Sequence, residues 1–128
     1  MDRPETYAES MKGKTGVKRI AAALKYSADG IRAACQEQGF RQLLWIHAVL
    51  MLCLFFAGFT LPVKMVLILV SALSIVIELV NTGIEAAVDH TSQEMHVLAK
   101  KAKDVGSAAQ YVTLAVVALL WLVAWVGS

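Results

Sequence analysis

The chain has 128 residues, enough for one domain, with 58% hydrophobic residues, 17% charged residues and a formal net charge of +2. A soluble domain this small cannot hide so much apolar side chain, because a short chain buries a smaller share of its surface. The composition excludes an ordinary soluble enzyme and points to a lipid bilayer.

Residues 1–16 are polar and read as a flexible tail. The first forty residues contain no short apolar core ending in a small-residue cleavage site, so no cleavable signal peptide is expected. From about 17 to 38 the spacing predicts a surface helix. Val17, Ile20, Ala21, Leu24, Ala28, Ile31 and Cys35 recur at steps of three and four, with Lys18, Arg19, Lys25, Asp29 and Arg32 between them. An amphipathic helix of this kind lies in the membrane interface with its basic side chains among lipid head groups.

Three stretches then have the ~20 mostly apolar residues that a span requires. They run over about 43–61, 63–88 and 108–126, with a tight turn expected from Gly58 to Pro62. Trp121 and Trp125 read as interfacial anchors of the third span. Cys35 and Cys53 read as free thiols, and His47 as a packing residue. Ser71, Ala72, Ser74 and Gly83 are small residues that let helices approach closely. The basic residues gather before the first span and at Lys100, Lys101 and Lys103, so the positive-inside rule puts the N-terminus in the cytoplasm and the C-terminus outside.

The second span turns polar at its end: Glu78-Leu-Val-Asn81-Thr-Gly-Ile-Glu85-Ala-Ala-Val-Asp89. At ~100° per residue, positions i, i+7 and i+11 share one helix face, so Glu78, Glu85 and Asp89 form an acidic stripe flanked by Asn81. A carboxylate at the centre of a span costs about 2.5–3.5 kcal/mol on insertion scales, so such groups usually serve a function. Three readings stand at this point: a metal-assisted phosphoryl-transfer site, a cation pathway, or a polar cluster holding helices together. The following loop favours the first. It carries Lys100, Lys101 and Lys103 for phosphate oxygens, with Glu94, His96 and Asp104 able to bond a ribose or an adenine amine. The chain has neither a Walker A pattern nor a kinase glycine-rich loop. Glu37, a lone acid before the first span, is either a further metal ligand or a solvated turn acid.

These residues resemble the signature of the bacterial integral-membrane diacylglycerol kinases, a family that includes undecaprenol kinases. The resemblance rests on Glu78 to Asp89 and on Ala102-Lys103-Asp104-Val-Gly106-Ser107-Ala-Ala. It extends over Arg19, Tyr26-Ser27, Gly30, Arg32-Ala-Ala and Glu37-x-x-Phe40-Arg41-Gln42. Leu43 stands where the family often has an acid, and the stretch from Arg32 to Glu37 is one residue shorter.

The resemblance implies an all-α membrane protein, with three transmembrane helices and an N-terminal surface helix, assembled as a homotrimer in the bacterial inner membrane. The implied activity is ATP-dependent phosphorylation of diacylglycerol to phosphatidic acid, with undecaprenol as the alternative lipid and an ion channel or carrier as the remoter reading. Glu78 then matches the catalytic base and Asn81 a residue orienting the site. Glu37 and Glu85 match ligands of the Mg²⁺ that travels with ATP. Arg19, Tyr26, Glu94, His96, Lys103 and Asp104 match nucleotide contacts. Arg32, Gln42 and Ser107 match the lipid pocket. Lipid, ATP and further copies of the chain are the implied partners, and nucleic acid is not among them.

Overall fold

A computed structural model describes residues 3, 4, 6, 8, 9, 15–91 and 96–128. The chain divides into two compact units, Met1–Gln36 and Glu37–Ser128.

In the first unit, helix α1 spans Gly16–Cys35. Its apolar stripe is uncovered: Val17, Ile20, Leu24 and Ile31 are all exposed. A stripe of this kind needs an apolar surface other than the helix itself, as a helix lying in a membrane interface has. The helix stops at Cys35, three residues before the expected end, and Gln36 and Glu37 separate it from the next helix. Within the expected tail, Arg3 pairs with Glu9.

The second unit holds α2 (Gln38–Phe56), α3 (Leu61–Thr91) and α4 (Val97–Val126). All three are long and apolar enough to cross a membrane. The sequence places the first span five residues too late at its end. Helix α2 closes at Phe56, and Ala57 is already extended. Gly58 favours the break, and Pro62 falls in the first turn of α3, where a missing N–H costs nothing. The third helix begins eleven residues earlier than the expected span. Its opening turns are polar yet helical, with Lys100 and Asp104 paired at i,i+4 and 2.6 Å apart.

Helices α3 and α4 run antiparallel and pack along their length, as three pairs show: Asp89 with Lys103, Asn81 beside Gly106, and Ser74 with Gln110. Helix α2 packs more lightly on α3. The core lies at the end away from the acidic residues, where Leu54, Ala57, Phe59, Leu67, Val70, Val117 and Trp121 cluster. Trp121 is therefore not an interfacial anchor. It is buried in the core, its ring 6.1 Å from Phe59 in an edge-on contact, while Trp125, also in contact with Phe59, remains exposed. Cys35 and Cys53 are free thiols, and His47 is buried.

Candidate active site

Helix α3 has 31 residues and is about 46 Å long, against ~30 Å of hydrocarbon in a bilayer. Counted from Leu61, the apolar thickness is used up near Asn81. The acidic segment thus lies at the boundary between hydrocarbon and water, where a lipid head group and a water-soluble partner can meet.

At this boundary the three helices of the second unit surround an open cavity of about 390 Å³. Gly39, Gln42, Leu43 and Ile46 come from α2, and Glu78, Asn81 and Glu85 from α3. Ser107, Gln110, Tyr111 and Leu114 come from α4. Five residues singled out in the sequence therefore share one wall system: Gln42, Glu78, Asn81, Glu85 and Ser107. Glu78 and Glu85 are half-buried, each two turns from the other on the same face of α3. A second cleft, between Val63, Leu67, Leu120 and Val123, is lined by apolar side chains and offers no reacting group.

Asn81 is held in place by what is missing opposite it. It is buried, and its Oδ1 has no protein partner among the described residues. Gly106 lies directly across on α4, and a Cβ there would run into Oδ1. The glycine thus lets the two backbones close around the amide, whose oxygen is buried against α4.

The expected acidic stripe does not act as one unit. Asp89 lies eleven residues, about 16 Å, beyond Glu78. It is exposed and accepts a hydrogen bond from Lys103 Nζ at 2.9 Å, outside the cavity. Lys103 is thereby tied across the α3–α4 pair, and Asp104 faces Lys100. His96 caps α4: its Nδ1 accepts from the Leu98 N–H at 3.1 Å, which leaves the proton of a neutral ring on Nε2. None of these five lines the cavity. Glu37 is the exposed N-cap of α2 and makes no side-chain capping bond. Arg19, Tyr26 and Arg32 lie on α1 in the first unit. Glu94 lies outside the described residues.

Among the described residues, no three His, Cys, Asp or Glu side chains converge as a metal cage. The donor set instead fits a hard cation held by one or two carboxylates and completed by phosphate oxygens, the usual manner of Mg²⁺.

Two cavity residues escaped sequence reading. Tyr111 and Gln110 sit in an uncharged apolar run, and only the rarity of a carboxamide inside a span marks Gln110. Its partner Ser74, taken as a small packing residue, is wholly buried and bonds it across the helix pair.

Comparison with known proteins gives a consistent result. The family model described as prokaryotic diacylglycerol kinase matches residues 25–125. The diacylglycerol kinase of Pseudomonas aeruginosa is 44% identical over 111 residues, 86% of this chain and 90% of the relative. That of Helicobacter pylori is 43% identical over 110 residues, covering 83% of this chain and 84% of its own length. That of Escherichia coli strain K12 is 36% identical over 112 residues, 85% and 90% of the two chains.

Proposed function

Because this chain belongs to the prokaryotic diacylglycerol kinase family and is therefore a lipid kinase, we propose that it moves the γ-phosphate of ATP onto the free hydroxyl of diacylglycerol. The observation that carries the reading is the cavity at the apolar–polar boundary, where Glu78, Asn81 and Glu85 meet Ser107. Lipid enters it sideways from the bilayer, and ATP arrives from the aqueous end.

Glu78 is the base. Its carboxylate takes the hydroxyl proton as the lipid oxygen bonds to the γ-phosphorus. The bond from that phosphorus to its bridging oxygen breaks, and ADP leaves with the electron pair. Catalysis then rests chiefly on position and charge neutralisation, as phosphoryl transfer generally does. Asn81 orients the site, and Gln42, Arg32 and Ser107 hold the lipid. Glu85 and Glu37 are the residues to hold Mg²⁺, which supplies neutralisation of phosphate charge. Lys103, Asp104, His96, Glu94, Arg19 and Tyr26 are the nucleotide's contacts.

The same reading places the N-terminus in the cytoplasm, the C-terminus in the periplasm and the chain in the bacterial inner membrane, supported by the basic residues at the N-terminus and at 100–103. It takes the active form to be a homotrimer. Only 22% of each span's apolar window is buried within one chain, which leaves ample surface for helices of other copies.

The test is transfer from radiolabelled ATP by detergent-purified protein, with diacylglycerol and undecaprenol offered in parallel and Glu78→Gln as control. Label on diacylglycerol that the variant abolishes is the expected result. Label on undecaprenol alone would keep the chemistry and change the substrate. Label on neither would overturn the reading.

A further inference from the structure

Among the described residues, Gln110 lies on the side of the cavity nearer the apolar core and bonds across the helix pair. It is only 6% exposed yet lines the cavity with Glu78. Its Nε2 donates to the Ser74 hydroxyl at 3.2 Å, and the same hydroxyl lies 3.5 Å from its Oε1. Ser74 fixes the plane of the carboxamide from one edge. The amide nitrogen carries two N–H groups, and Ser74 takes one of them.

Depth gives the group its meaning. Ser74 precedes Glu78 by one turn, about 6 Å along the helix axis, on the side that leads to the apolar core. Gln110 follows Ser107 by one turn in the same direction on the antiparallel helix. A lipid whose hydroxyl meets Glu78 therefore runs its chains past Gln110. In a glycerolipid the groups at that level are the ester carbonyls, a few bonds below the hydroxyl, and they accept hydrogen bonds. A polyprenol presents only hydrocarbon there, and leaving a buried donor unmatched is unfavourable.

We propose that Gln110, held by Ser74, is a specificity-determining residue that donates its second N–H to an ester carbonyl of the lipid and so selects glycerol esters over lipid alcohols without carbonyls. The inference rests on the assignment of Glu78 as the group that meets the lipid hydroxyl. It differs from a purely structural role, in which Gln110 and Ser74 only join two helices. A joint of that kind would affect every lipid alike.

The experiment compares a diacylglycerol with the dialkyl ether of the same chain lengths, which has the hydroxyl but no carbonyl. Wild-type enzyme and Gln110→Met, an unbranched replacement without a donor, are assayed in mixed micelles. The wild type is expected to show a KM for the ester lower than for the ether by roughly three- to tenfold, the worth of one neutral hydrogen bond. Gln110→Met is expected to close the gap between the ester and ether KM values and change kcat little. A wild-type ester-to-ether ratio near one overturns the inference even if the variant does not fold. So does a variant that raises both KM values equally. Label on neither glycerolipid from the wild type overturns the lipid-kinase reading together with the inference.

Discussion

At position 78 the carboxylate stands where α3 leaves its apolar stretch, half-buried and facing a cavity that a lipid hydroxyl can enter. Glutamine keeps its shape and loses its basicity. Glu78→Gln is expected to lower kcat by about 10²–10⁴-fold, the usual worth of a positioned base, while ATP affinity, read from displacement of a fluorescent analogue, stays close to wild type. Near-normal turnover would remove Glu78 from the role. Gly106 makes a subtler case, because its contribution is the space it leaves. Alanine favours the helix by about 1 kcal/mol over glycine, so helicity is not the risk. The added methyl collides with Asn81 Oδ1 and forces the amide out of its place. Gly106→Ala is expected to reduce kcat roughly 10- to 100-fold, with the circular dichroism spectrum retained. In an Asn81→Ala background the same change is expected to add little, since both act through one side chain. Full additivity would refute the contact as the cause.

Between helices, polar contacts set the register of α3 on α4. Ser74 with Gln110 lies deep, Asn81 beside Gly106 lies at the boundary, and Asp89 with Lys103 lies outside. Ser74→Ala removes the deep bond and leaves the carboxamide short of a partner. It is expected to lower unfolding free energy in mixed micelles by about 0.5–2 kcal/mol, the range of interhelical bonds in membranes. An unchanged unfolding curve would assign the register to apolar packing alone. The sequence was readable where signals are local. The apolar runs give three helices, the i, i+7 spacing puts Glu78 and Glu85 on one face, and the tail-end glycine and serine of the Lys103–Ser107 run reach that face from α4. It was not readable where meaning depends on register. Gln110 looks like a stray polar residue until Ser74, 36 positions earlier, is set against it. Asp89 looks like part of the stripe until Lys103 draws it outward. Trp121 looks like an anchor until the extended stretch at Ala57 brings Phe59 onto its ring.

At the scale of the whole molecule, the cavity of one chain holds only part of the residue set proposed for the reaction. The cavity gathers Glu78, Gln42 and Ser107, but His96, Lys103, Asp104 and Glu37 lie outside its lining. The spans also leave most of their apolar surface uncovered. Both features fit a site completed by neighbouring copies, in which one copy supplies Glu78 and another supplies residues for the nucleotide. This arrangement predicts rescue between two dead variants. Glu78→Gln and Glu37→Gln, each inactive alone, are purified, unfolded in mild acidic detergent, mixed in equal amounts and reassembled. If the two residues of one site come from different copies, about a quarter of the sites draw both intact residues by chance, and close to that fraction of wild-type activity is expected to return. If both come from the same copy, every site carries one defect and the mixture stays as inactive as its components. The mass of the reassembled particle, set against 13.9 kDa for one chain, gives the number of copies in the same experiment.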